Sequence, residues 1–153
     1  MKSDMSDFEP VFTIGTTARL LSIAVQTLRM YEQEGLVLPH KTPGGHRMYS
    51  ARDMERLKCI RKLISEDGLN ISGIKHLMAL VPCWQYKGGL DDDCRNCRAY
   101  YETIGPCWNL EEPGAKCRAQ DCRSCEVYRL RISCERMKML LFGHQRPEKT
   151  AKA

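Results

Sequence analysis

No stretch of this chain comes near eighteen consecutive apolar residues, and its first ten, with Asp4, Asp7 and Glu9, contain no apolar run of the kind an export signal needs. The sequence therefore predicts neither a membrane span nor a secretory leader, and it points to the cytoplasm. Also missing are a nucleotide-binding glycine loop, a Ser/His/Asp set and a paired-carboxylate arrangement. Without them no enzyme class is indicated. Charge of one sign does not dominate either. Between Val11 and Val81 ten Lys/Arg stand against six Asp/Glu, within a formal net charge of +5 for the whole chain. That excess permits nucleic-acid binding without establishing it. Apolar residues make up 42% of the 153, enough for one ordinary core.

Cysteine, by contrast, is abundant. Eight of the nine cysteines fall between Cys83 and Cys134, and two parts of that stretch repeat each other. Pro82-Cys83-Trp84 leads to Cys94-Arg95-Asn96-Cys97 and Tyr100, and Pro106-Cys107-Trp108 leads to Cys122-Arg123-Ser124-Cys125 and Tyr128. In a reducing compartment dense cysteine favours metal over disulfides. A CxxC turn sets two sulfurs at the spacing that zinc or an iron–sulfur cluster takes. The candidate ligands are Cys83, Cys94, Cys97, Cys107, Cys117, Cys122 and Cys125. Their partition stays open. Cys83, Cys94, Cys97 and Cys107 can hold one ion and Cys117, Cys122, Cys125 and Cys134 another, or the two CxxC pairs can build a single site. Zinc and iron–sulfur are both compatible with the donors. Trp84 and Trp108 are expected to cover sulfur from water. Cys59 reads as a small core or half-buried residue. Asp91-Asp92-Asp93 reads as a solvated loop. The stretch from Cys83 to Cys125 is poor in branched aliphatic residues, so metal is expected to supply stability that burial does not.

The front half carries a different pattern. A helix from Gly15 to about Ser22, a second from Val25 to Glu34 closed by Gly35, and a tight turn between them make a helix-turn-helix. Such a unit places its second helix in a major groove. Pro43-Gly44-Gly45, flanked by short extended arms, reads as a hairpin wing. Ser50 and Asp53 open a third helix as a capping box, with Met54, Leu57, Ile60 and Ile64 as its apolar stripe. Asn70 caps a fourth helix, whose buried face is Ile71, Ile74, Leu77, Met78 and Val81 and which Pro82 stops. Val127, Leu130, Cys134, Met137 and Leu141 recur at heptad spacing and predict a short coiled-coil seam. The expected fold is therefore mainly α. A winged helix-turn-helix domain occupies 11–81, a small cysteine-rich metal module 82–125 and a short C-terminal helix 126–142, with disordered segments at 1–10 and 143–153.

The run from Gln26-Thr27-Leu28-Arg29-Met30-Tyr31-Glu32 to Gly35-Leu36, followed by Gly44-Gly45-His46-Arg47-Met48-Tyr49, resembles the MerR family of winged-helix transcription regulators. Lys41-Thr42-Pro43-Gly44-Gly45 and Asn70-Ile71-Ser72-Gly73-Ile74-Lys75 are similar to its HspR branch, repressors of chaperone genes. The resemblance covers about Phe12 to Val81. It implies a homodimer on double-stranded DNA at an inverted-repeat, palindromic promoter site, with RNA polymerase or a chaperone as further partners. A second reading within it is a heat-shock repressor whose zinc lobes form a structural platform for a protein partner. Gln26, Thr27 and Arg29 open the second helix, where Gln pairs with adenine and Arg with guanine. Tyr31, Arg47, Tyr49 and the wing residue His46 are expected at phosphates, which set register. The chain departs from the SoxR branch, whose cluster-binding cysteines lie much closer together, and no long dimerisation helix directly follows the fourth helix.

Overall fold

The computed structural model describes residues 5–102 and 104–130. Two short helices come first, α1 (Ile14–Leu21) and α2 (Val25–Gln33). Thr13 caps α1 by accepting the Thr16 amide at 3.2 Å. Ser22 ends it in the left-handed conformation, φ 52°, and turns the chain into α2. Such a backbone is uncommon for a residue bearing a Cβ, and it makes the tight turn the sequence predicted.

A three-stranded antiparallel sheet forms the wing, with β1 (Phe12–Thr13) and β2 (His40–Lys41) flanking β3 (Arg47–Tyr49). Its register pairs Phe12 with Tyr49 and Lys41 with Arg47. The hairpin turn closes through Thr42, whose carbonyl accepts the Gly45 amide at 2.8 Å and whose Oγ1 accepts the His46 amide at 3.1 Å.

The capping box forms as read. In α3 (Ala51–Ser65) Ser50 Oγ accepts the Asp53 amide at 3.1 Å, and Asp53 Oδ2 accepts the Ser50 amide at 2.8 Å. Asn70 caps α4 (Ile71–Ala79) through the Gly73 amide at 2.8 Å. One core joins these elements: Leu28 and Tyr31 of α2, Leu36 and Val37 of the connection, Tyr49 of β3, Leu57 and Ile60 of α3, and Ile74 and Met78 of α4. Burying such side chains is worth roughly 1.5–3 kcal/mol each.

Beyond Pro82 the helices shorten to a turn or so: α5 (Cys83–Tyr86), α6 (Asp92–Asn96), α7 (Arg98–Tyr101), α8 (Ala115–Arg118) and α9 (Glu126–Leu130). Two 3-10 turns, Cys107–Asn109 and Cys122–Ser124, stand among them. A second cluster of Cys125, Val127 and Tyr128 draws in Leu38, Cys83, Tyr86, Cys107 and Trp108. It seats the cysteine region on the helix-turn-helix unit.

Two sequence expectations change. The lead over 1–10 is not wholly disordered, because Met5–Phe8 form a 3-10 turn against α3. There Arg52 pairs with Asp7 at 3.6 Å and stacks 5.5 Å from the Phe8 ring. Val127, expected on an intermolecular seam, is 1% exposed and packs inside its own chain. The rest of that seam beyond Leu130, including Cys134, and the tail 143–153 lie outside the described residues. No helix among the described residues is long and apolar enough to cross a membrane.

Candidate DNA-reading face and the thiol lobes

Leu28 and Tyr31 turn one side of α2 into the core, which leaves Gln26, Arg29, Met30 and Gln33 as an exposed stripe. Their spacing, i, i+3, i+4 and i+7, is one helical face. Thr27 is half-buried beside it. Gln26 and Arg29 thus stand free of the fold, as side chains that read base edges must.

Glu32, one turn on, tethers the wing. Its carboxylate takes a charge-assisted hydrogen bond from Arg47 Nε and lies 3.6 Å from Lys41 Nζ. The hydrogen bond and then the charge of Glu32 hold the Arg47 guanidinium still more firmly protonated. Arg47 therefore fixes the wing against α2 as well as carrying positive charge to the surface. His46 is exposed at the wing tip.

Tyr31 and Tyr49 correct the expectation that they meet phosphate. They are 5% and 0% exposed and belong to the core. The register Phe12 to Tyr49 turns Tyr49 inward, where burial, then the charge of Glu32, pushes its hydroxyl up to about 12. That hydroxyl has no hydrogen-bond partner among the described residues.

The segment between α2 and the wing is gripped by the second cysteine repeat. Trp108 Nε1 donates to Gly35 O at 2.6 Å, and Asn109 Nδ2 donates to Glu34 O at 3.0 Å. The Leu38 amide donates to the Tyr128 hydroxyl at 2.8 Å, and Arg123 donates to Leu38 O. Arg56 of α3 lies beneath, 1% exposed, donating to Leu36 O at 3.2 Å and to Tyr128 O at 2.5 Å. Its guanidinium sits 3.9 Å from the Tyr128 ring centre and 5.4 Å from that of Trp108. Burial lowers its pKa, and the two carbonyls and ring faces offset the desolvation of the charge. Sequence reasoning missed Arg56 and this grip; a charged residue in a helix reads as solvated.

The internal repeat, in contrast, was legible and is real in space. Trp84 packs on Tyr100 with ring centres 5.2 Å apart, and Trp108 packs on Tyr128 at 5.0 Å. Each repeat buries the second cysteine of its CxxC, Cys97 or Cys125. The acidic run has structural work rather than being wholly solvated. Asp91 accepts the Cys94 amide at 2.9 Å, and Asp93 accepts the Ala115 and Lys116 amides of α8 at 2.9 and 3.1 Å.

The thiols line two neighbouring cavities. Cys83, Cys94 and Cys97 face one, and Cys107, Cys122 and Cys125 the other, with Cys117 and Lys87 on the walls of both. This arrangement puts Cys107 with the second CxxC rather than the first, and it separates the two CxxC pairs, so neither partition expected from sequence matches it. Burial pushes the Cys117 and Cys122 thiols up. Burial lowers the Lys87 ammonium pKa, but its bond to Cys125 and the nearby Cys117, Cys125 and Cys107 more than offset that. As the side chains stand, no three Cys, His, Asp or Glu among the described residues converge closely enough to hold a metal ion. The donor set itself, thiols with amides aimed at them such as Gly114 N–H to Cys97 Sγ at 3.2 Å, suits a soft cation. Cys59 is half-buried on α3, as expected.

The sequence profile of MerR HTH family regulatory proteins matches residues 12–80. The chain is similar to a putative heat shock protein HspR of Streptomyces coelicolor, 40% identical over 77 residues, half of this chain and 51% of that protein. It is also similar to the HTH-type transcriptional regulator GlnR of Bacillus anthracis, 35% identical over 80 residues, 52% of this chain and 60% of that one. A mercuric resistance operon regulatory protein of Bacillus cereus shares 33% identity over 92 residues, covering 60% of this chain and 62% of that protein. The chain thus spans about half to three fifths of the length of these curated relatives.

Proposed function

We propose that residues 12–80, which match the profile of MerR HTH family regulatory proteins, form a DNA-binding domain, and that this protein regulates transcription, binding an inverted-repeat promoter site as a homodimer. Gln26, Thr27 and Arg29 read base edges in the major groove, while the wing, with Lys41, His46 and Arg47, lies on phosphates. The cysteine lobes hold zinc or an iron–sulfur cluster and stabilise or switch the reading head. The protein acts in the cytoplasm, without catalysis, by blocking or recruiting RNA polymerase.

The observation that carries this reading is the exposed stripe of α2 joined to the gripped segment behind it. The stripe leaves Gln26 and Arg29 available, and the segment from Glu34 to Leu38 is bonded to Trp108, Asn109, Arg123 and Tyr128 of the second lobe. A change in that lobe has a short mechanical route to the angle between recognition helix and wing. Half-site geometry depends on that angle.

A second reading is favoured by one feature of the first lobe. Tyr101 and Ile104 are each 68% exposed, which suits a platform for a protein partner such as a chaperone, as similarity to a putative heat shock protein invites. In that case the lobes are structural zinc sites, and metal state leaves DNA affinity unchanged.

Selection from a pool of random-sequence duplexes tests the main reading. Enrichment of an inverted repeat, bound with two chains per duplex and with affinity falling steeply with salt, is the expected result. Failure to enrich any sequence contradicts it.

A further inference from the structure

Each cysteine repeat supplies three thiols, one after proline and two in the CxxC. A closed tetrahedral site of sulfur ligands needs four. Cys117 belongs to neither repeated motif, yet it lines both cavities: one of about 60 Å³ with Cys107, Cys122 and Cys125, and one of about 20 Å³ with Cys83, Cys94 and Cys97. Its position is built from both sides. It sits on α8, whose first amides are held by Asp93 of the first lobe at 2.9 and 3.1 Å, while α8 itself belongs to the chain of the second repeat.

We propose that the seven thiols form one continuous donor set for two thiophilic divalent cations of the zinc type, each bound by four sulfurs, with Cys117 bridging the pair. The proposal rests on the reading above that the lobes hold metal, and it chooses between the metals. An iron–sulfur cluster takes four cysteines, each on an iron, and the bridging between its irons is done by sulfide. A shared thiolate is instead natural for two tetrahedral cations held side by side. The charge fits as well. Seven thiolates against two divalent cations leave the group anionic, and Lys87 is the cation placed on both cavity walls.

Loading draws the sulfurs inward, since among the described residues no three converge as the side chains stand. The segments that must close are short turns rather than long helices, and each bound thiol releases its proton to solvent. The second cation then lies under Trp108 and Tyr128, the residues that hold Gly35 and Leu38.

The test is a cobalt(II) titration of the full chain, purified without oxygen and stripped of metal, followed by sulfur-to-cobalt absorption and by electron paramagnetic resonance. Binding should saturate at two cobalt ions per chain. The resonance signal should grow through the first equivalent and then fall, because a bridging thiolate couples neighbouring high-spin ions. Cys117→Ser should remove the fall. Saturation at one ion, or a signal that climbs steadily to two, overturns the shared site. A purified chain that carries iron and sulfide and takes no cobalt overturns this inference while the metal-module reading stands. A chain that binds neither overturns both. The wild-type coupling decides the matter even where Cys117→Ser fails to fold.

Discussion

The guanidinium of Arg56 lies 3.9 Å from the centre of the Tyr128 ring and also donates to the carbonyl of Tyr128 itself at 2.5 Å. One side chain of the third helix thereby holds both the ring and the backbone of a residue seventy-two positions on. The same arginine reaches Leu36 O, so it joins the helix-turn-helix unit to the second cysteine lobe at a buried point. Arg56→Ala leaves a cavity and strips two carbonyls of a donor, and it should cost about 3–5 kcal/mol of unfolding free energy in urea titrations. Arg56→Lys should recover only part, lacking the planar fork. A loss below about 1 kcal/mol for the alanine variant would show the grip to be incidental.

Gly35 is constrained twice. Its φ is +70°, and a Cβ there would fall 1.8 Å from Asn109 Oδ1. Gly45 in the wing shares a positive φ, +79°, with open space around it. Gly45→Ala should therefore cost only the backbone strain, about 1–2 kcal/mol. Gly35→Ala should cost that strain plus the Asn109 hydrogen bond to Glu34 O, since only the end of the Asn109 side chain must swing aside, and limited proteolysis should then cleave the second lobe faster. Equal losses for the two variants would show that the Asn109 contact contributes nothing to stability.

Tyr49→Phe separates the core role from a phosphate role. The hydroxyl is buried and lacks a partner among the described residues, so its removal should leave stability unchanged or raise it by up to about 1 kcal/mol. Affinity for the selected DNA site should stay within about 0.5 kcal/mol of wild type. A substantial drop in affinity with unchanged stability would return Tyr49 to the DNA surface.

What could be read from sequence was local. Ser50 with Asp53, Asn70 with Gly73, and the turn glycine at 35 act within a few residues of themselves, and all three appear where their chemistry places them. The repeated Trp and Tyr spacing was legible for the same reason: two copies of one pattern fold alike, as Trp84–Tyr100 and Trp108–Tyr128 do. Non-local facts were hidden. The inward turn of Tyr49 is set by its pairing with Phe12, thirty-seven residues away. Val127 carries an apolar period that fits a seam, but Leu38, Cys107 and Trp108 of its own chain occupy that face. Arg56 stands four and seven residues before Ile60 and Leu63, on the apolar arc of its helix, but its charge made it read as solvated. The grouping of Cys107 with Cys122 and Cys125 needed the path of the chain through space.

Base reading by α2 is the central claim. The most direct measurement is the affinity of wild type and Arg29→Ala for the selected site and for each of its single-base variants. Arg29 is exposed, so the variant should fold as stably as wild type. It should lose about 1–3 kcal/mol, with discrimination flattened at one base pair in each half-site and retained elsewhere. Binding indistinguishable from wild type at every base pair would contradict the claim that this helix face reads DNA.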